Sequence, residues 1–273
     1  MLLATFLVSA AEKKSADELL TEAGVSFAKG LREDAIELAT KAIEAEPKNS
    51  KAHYVRGRFY AAVRQPQKAL KDLNQALALD PTAAPAYFHR GEEGFKLGRI
   101  KESAADFDKF VELSPDQAPK VWQRGISLYY AGRYEDGQRQ FELHQTVNKN
   151  DVENAVWHFL CVARRAGIDK ARAALLKIEN DPRVPMMQIY ALYAGKGSAE
   201  EIMKAATTGR PPPNELNERL FYTHLYLGLY FDVAGNEKMA REHIVQAAEL
   251  FKVDHYMGDV ARIHAMLLRQ QSH

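Results

Sequence analysis

The sequence predicts an all-α fold of stacked two-helix units, and three observations carry that prediction. Pro47, Pro81 and Pro115 fall 34 residues apart, Gly57, Gly91 and Gly125 keep the same spacing, and small residues recur at two aligned points in each unit. A period of 34 residues is one supersecondary unit whose apolar faces are buried only when neighbours stack. Starting the units at Ala16, Ser50, Ala84 and Ala118 aligns Ala23, Gly57, Gly91 and Gly125 in the first helix. It aligns Ala35, Ala69, Ser103 and Gly137 in the second. A large side chain at either point would force the two backbones apart. Helix pairs are therefore expected over 16–49, 50–83, 84–117 and 118–150, making four units within residues 16–151.

Within each unit the turn carries Gly30, Gly98 or Gly132, which supply the left-handed conformation that ends a helix. Arg64 stands there in the second unit, which is expected to be irregular. Tyr60, Leu73, Phe95, Phe107, Phe110, Tyr129 and Phe141 fill core slots. The repeated proline stops the second helix because it has no amide to donate, and Lys149 takes its place in the fourth unit.

Residues 152–209 read as a degenerate continuation. A fifth pair is expected over 152–180, broken near Gly167, with Ala171, Leu175 and Ile178 on an apolar stripe at helical spacing. Asp181-Pro182-Arg183-Val184-Pro185 is a connector, and two brief helices flank Gly195-Lys196-Gly197-Ser198. Residues 210–214, with three successive prolines, are expected to be a stiff linker that is not helical. Residues 215–270 return to the pattern. Gly228, Gly235, Ala240 and Ala247 restore the small-residue spacing over 221–253, and a helix from about Asp254 to Gln270 is expected to cap the exposed end.

This pattern resembles the tetratricopeptide repeat family over about half of the chain. The resemblance implies a right-handed superhelix of antiparallel helix pairs, an α-solenoid, whose first helices line a concave surface that binds peptides or proteins. The carboxylate clamp of chaperone-binding members needs Lys and Asn in the first unit, where Leu20 and Gly24 stand, so that specialisation is not expected. The order of units is also similar, more loosely, to the NlpI-type bacterial envelope lipoproteins. Tyr226-Leu227-Gly228-Leu229-Tyr230, Ala240, Ala247 and the run Trp157-His158-Phe159-Leu160 carry that likeness. It implies an envelope adaptor, often dimeric, that presents cell-wall hydrolases to a protease. Those proteins carry a lipidated cysteine after the signal peptide, whereas the one cysteine here is Cys161, within a helical pattern.

Charge and hydropathy exclude several classes. With 37 basic and 36 acidic residues the net charge is +1, so there is no basic footprint for nucleic acid or an anionic membrane. No apolar run approaches the roughly 20 residues that span a bilayer. Met1 to Ala11 is apolar and ends in Val8-Ser9-Ala10-Ala11 before Glu12-Lys13-Lys14, which reads as a signal peptide cleaved after Ala10 or Ala11 and so as export. The alternative is a hydrophobic N-terminal segment. A single cysteine permits no internal disulfide.

Candidate binding residues follow from the period. Tyr54, Phe88 and Trp122 recur 34 residues apart, Arg58, Glu92 and Ile126 stand one turn further on, and Phe27, Phe95 and Tyr129 continue the stripe. Aromatics offer large contact area at low entropy cost, so these residues, Phe27 apart, form the expected groove for a peptide or protein. The same rings equally suit packing between neighbouring repeats. Arg56, Arg90 and Arg124 also repeat, either as a ladder for a carboxylate-bearing partner or as packed stems with heads in water. His158 with Cys161, and His255 with Asp259, share helix faces, but two ligands make no zinc site, and no nucleophile elbow or phosphate-binding loop accompanies them. Neither enzymatic activity nor a metal or cofactor is expected. The reading is a scaffold that captures a protein in its groove. The alternatives are a structural homodimer within an envelope complex and a hydrolase using His158 or His255.

Overall fold

The computed structural model describes residues 14–270, and the expected leader, Met1 to Ala11, lies outside them. The described residues are helical with no strand. They form two units, one ending at Arg90 and the other beginning at Gly91.

The first unit contains α1 (Ala16–Ala28), α2 (Arg32–Ala45), α3 (Ser50–Ala62), α4 (Pro66–Leu79) and the start of α5 (Ala84–Lys96). The three first helices begin at the residues the period assigns. Local chemistry explains why: Ser15 and Glu18 cap α1 reciprocally, the Asn49 side chain accepts the Ala52 amide at 3.1 Å, and Pro66 opens α4. Ala23, Ala35, Ala39 and Ala42 are fully buried between α1 and α2, and Phe27 stacks on Phe59 with ring centres 4.5 Å apart.

The second unit continues with α6 (Ile100–Leu113), a 3-10 segment (Pro115–Lys120), α7 (Trp122–Tyr130), α8 (Tyr134–Gln145), α9 (Val152–Ala166) and α10 (Ile168–Ala173). Then come α11 (Met186–Tyr193), α12 (Ala199–Thr207), α13 (Pro213–Val233), α14 (Glu237–Val245) with a π turn at Gln246–Leu250, and α15 (Tyr256–Gln270). One hydrophobic core runs through these helices. The small-residue contacts are as tight as the alignment implies. A methyl group on Gly125 would lie 2.5 Å from the Phe141 ring, and one on Gly228 would lie 2.6 Å from Ile244.

Arg64 does not make its unit irregular. Its φ of 55° places it in the left-handed region with Gly30, Gly98 and Gly132 at 83°, 73° and 75°. The turn is conserved in geometry at a cost to a residue bearing Cβ, about 1–2 kcal/mol. Arg64→Gly is accordingly expected to stabilise the chain by about 0.5–1 kcal/mol, read as a rise of a few degrees in melting temperature; a fall would show that the Arg64 side chain contributes more than its backbone costs.

Four expectations need correction. The fourth pair starts at Trp122 rather than Ala118, because side chains from α8 capture the carbonyls the helix would have used: Gln140 donates to Ala118 at 2.8 Å and His144 to Pro119 at 2.7 Å. Next, α10 stops at Ala173, so Leu175 and Ile178 lie beyond it, although both still pack on the core. Tyr190 closes that extended stretch, accepting the Ile178 amide at 3.4 Å and donating to the Leu176 carbonyl at 3.1 Å. The third correction shortens the linker to 210–212, since Pro213 is the first residue of α13, where its fixed φ suits a helix start. The last concerns α15, which does more than cap an end.

Candidate partner-binding site

In the first unit Tyr54 is half-buried against the Ala69, Leu73, Leu77 and Ala86 cluster, and burial pushes its hydroxyl pKa up. The Arg58 guanidinium sits 5.8 Å from its ring centre, with Arg58 itself exposed, and His89 lies 5.9 Å from the same ring. Phe88, partly exposed, meets His89 edge to face. These three expected residues are accessible, and Tyr54 lines a shallow hollow of about 190 Å³.

In the second unit the stripe is closed. Phe95 and Ile126 are fully buried and Tyr129 is 4% exposed. Tyr129 is covered by Tyr134, Trp157 and Arg164, and Phe95 by the chain's own C-terminal helix. Tyr256 at the start of α15 stacks on Phe95 at 5.2 Å and meets Trp122 edge to face at 5.2 Å, and the Tyr130 hydroxyl donates to Nδ1 of His264 at 3.0 Å. Burial holds the His264 pKa down at about 4, so it packs as a neutral ring 3.4 Å from Asp232. Arg164 bonds both Asp232 and, at 3.2 Å, the Tyr129 hydroxyl. Glu92 is partly buried and accepts from Gln123 at 3.4 Å. Of the expected residues in this unit, Trp122 and Glu92 keep partial exposure.

The arginines at the repeat spacing are engaged within the chain. Arg56 grips Asp72 with two bonds of 2.7 and 2.8 Å, Arg90 donates to Asn74 at 3.1 Å, and Arg124 reaches Asp108 and Gln140, both at 2.8 Å. They tie first helices to second helices, so the ladder reading is replaced by internal pairing.

Trp122 lines a half-enclosed cavity of about 330 Å³ built from α7, α8, α9, α13 and the start of α15. Tyr222 and Tyr256 add aromatic wall, and Ile126 and Phe141 add apolar wall. Asn154 and Trp157, one turn apart on α9, complete that wall. Asp151 and Glu153 form an acidic side, held from behind by Arg183, which donates to Asp151 at 2.7 Å, Glu153 at 2.5 Å and Asp181 at 2.6 Å. Burial pushes the Glu153 carboxyl up despite Arg183, and Tyr226 donates its hydroxyl to the same carboxylate. Of the residues expected to bind a partner only Trp122 and Ile126 line it, joined by His255 from the hydrolase alternative. The remaining lining residues come from segments up to 135 positions apart, between Trp122 and Met257, and no local pattern joins them.

The histidines take packing roles. His158 is buried with Nε2 3.2 Å from Glu142, its pKa lowered by burial, and the Cys161 thiol is pushed up by burial. His255 lies against Phe221 and Tyr222. No cluster of three potential metal ligands occurs among the described residues.

Residues 50–83 match the tetratricopeptide repeat family, and residues 84–117 match it again. The chain thus carries tetratricopeptide repeats over residues 50–117. It is 46% identical over 57 residues to tetratricopeptide repeat protein 36 of Caenorhabditis elegans. The match covers 20% of the chain and about a third, 32%, of that relative. Among solved structures it is similar to a tetratricopeptide repeat protein from Parabacteroides merdae, with a TM-score of 0.61 at 17% identity over 93% of this chain and 98% of that one. It is also similar to MamA, with a TM-score of 0.54 at 17% identity over 72% and 97%. At these identities the likeness is one of fold.

Proposed function

We propose that this protein is a scaffold that holds another protein and performs no chemistry of its own, with the cavity beside Trp122 as the seat. One observation carries the reading: Trp122, an aromatic at the repeat spacing, remains half-buried on the wall of a 330 Å³ cavity while Phe95 is closed beneath α15 and Ile126 and Tyr129 are buried in the core. Aromatic residues that are partly covered and line a concavity are the usual anchors of an interface. Tyr54, Arg58 and Phe88 offer a separate accessible patch on the first unit. Trp122→Ala is expected to weaken capture of the partner, identified by affinity purification and mass spectrometry, at least about tenfold, since anchor truncations typically cost 2 kcal/mol or more. A melting control separates lost contact from lost fold. Undiminished capture by a folded Trp122→Ala protein, with loss in Tyr54→Ala or Phe88→Ala, would place binding on the first unit instead.

A further inference from the structure

We infer that α15 is a cover over Phe95 that acid releases, with His264 as the group that takes up the proton. The helix follows a stretch, 251–255, that is not helical, so it can lift without unwinding what precedes it. Its holds on the older part of the repeat are aromatic and apolar. Tyr256 stacks on Phe95 at 5.2 Å and meets Trp122 edge to face, and Met266 and Ile263 reach the turn at Gly98. Opening free energies differ across a fold, and elements that carry functional motion come from the low end.

His264 is 4% exposed on the buried face of α15. The Tyr130 hydroxyl donates to its Nδ1 at 3.0 Å, so the neutral ring carries its proton on Nε2, 3.4 Å from the Asp232 carboxylate. A second proton must go to Nδ1, where it displaces the Tyr130 donation. Asp232 is not free to balance the new charge, because Arg164 already bonds it. The groups that face His264 are therefore Tyr130 from α7, Asp232 from α13 and Arg164 from α9, while Arg241 of α14 donates to the Leu268 carbonyl. Burial, helped by Arg164, outweighs Asp232 and keeps the closed ring neutral down to about pH 4. Once α15 lifts, the ring meets water and protonates at the ordinary value, about 6.5. A proton bound by the open form alone favours opening. The closed form thus keeps its full advantage above about pH 6.5 and loses it as pH falls toward 4, with the open fraction rising about tenfold per pH unit for one proton. Release uncovers Phe95 and Tyr130 and withdraws Tyr256 and Met257 from the cavity beside Trp122, so the surface offered to a partner differs between neutral and acid conditions.

The test is amide hydrogen exchange of the full chain at pH 7, 6, 5 and 4.5, each rate divided by that of an unprotected amide at the same pH. Protection of α15 is expected to fall about tenfold per pH unit below about 6.5 while α9, in the same core, keeps its own. His264→Gln cannot take up the proton and should flatten that slope by about one power of ten per unit; the slope is read rather than the level, since the substitution also changes packing. His264→Phe keeps a ring and serves should the glutamine variant not fold, and if neither folds the wild-type contrast of α15 with α9 decides. Parallel loss in α9 would mean global acid unfolding. Loss confined to α13 and α14 would credit His224 and His243, whose Nδ1 atoms lie 2.9 Å apart beside Glu242. An undiminished slope in the neutral variants would pass the effect to the carboxylates of Asp259 and Glu249, which Arg262 and Arg269 hold. Any of these, or α15 protection that does not change with pH, overturns the inference. The exchange is measured without a partner, so it leaves the Trp122→Ala capture experiment to judge the scaffold reading separately.

Discussion

Trp157→Ala is expected to lower the melting temperature by about 6–12 °C. The indole is 2% exposed, with ring centres at 5.5 Å from Tyr129, 6.0 Å from Tyr130 and 6.5 Å from Phe141, so it links α7, α8 and α9 in one aromatic cluster. Truncating a buried Trp typically costs about 3–5 kcal/mol, of which lost transfer and the remaining cavity are the main parts. The indole N–H has no acceptor, and its removal relieves a standing desolvation cost. The loss should therefore lie near the lower end, about 3 kcal/mol, which corresponds to 2–4 °C per kcal/mol in a chain of this size. Trp157→Phe, which keeps the ring packing and deletes the unpaired N–H, should cost less than half as much. Calorimetry of both variants checks the ordering; an alanine variant that melts within 2 °C of wild type would mean that Tyr129, Tyr130 and Phe141 collapse into the space.

Arg183→Ala is expected to cost about 2–3 kcal/mol at pH 7 and markedly less near pH 4.5. Arg183 is the shared cation for Asp151, Glu153 and Asp181, and the Asp181 side chain is only 2% exposed, also accepting the Val152 amide at 3.1 Å. Removing one partner of a buried pair costs about 3–5 kcal/mol, discounted here because Arg183 is itself 44% exposed and water screens part of the interaction. The sign of the pH dependence follows from the carboxyls. Burial raises the Asp181 pKa, but bonds from Arg183 and the Val152 amide outweigh it and hold the group below its ordinary value. Its contribution is present above the unfolded pKa and lost as pH falls through the folded one. Glu153 is raised by burial even with Arg183 present, so its folded form favours the proton. Without the Arg183 side chain, burial at Glu153 is opposed only by the Tyr226 hydroxyl, and the folded variant takes up a proton there more readily than the unfolded chain. Its stability should rise from pH 7 to about pH 4.5, where Glu153 takes up its proton more readily than in the wild type, while the Asp181 contribution of the wild type is still present there and is lost only below the ordinary aspartate range. Denaturant unfolding at both pH values measures the gap; a constant gap would show that Arg183 acts through its packed stem.

The chain's helix pairs were legible because their signals are short. A cap such as Ser15 with Glu18, a left-handed turn at Gly30 or Gly98, and a proline after the second helix of the first three units act within a few residues, so a period of 34 survives in the text of the sequence. That is why α1, α3 and α5 begin at Ala16, Ser50 and Ala84 as the alignment requires. The period was weaker evidence where a distant group competes for the backbone. Ala118 and Pro119 align with Ala84 and Pro85, yet their carbonyls go to Gln140 and His144, and the helix starts four residues late.

By itself, then, the sequence determined the all-α repeat, the position of most turns and the small residues where helices touch, because each depends on local conformation or on a contact repeated at constant spacing. Tertiary structure alone decided where α15 lies and what the binding residues are. An amphipathic pattern such as Met257, Val260, Ala261 and Leu268 states that a helix face is buried but not against which surface. That surface includes Phe95, Tyr130 and one edge of Trp122, so Phe95, expected to meet a partner, is covered by the chain's own last helix. The Asn154 oxygen and the Trp157 N–H are leftovers only after helices distant in sequence have met, since whether a polar group is paired is a property of everything packed around it.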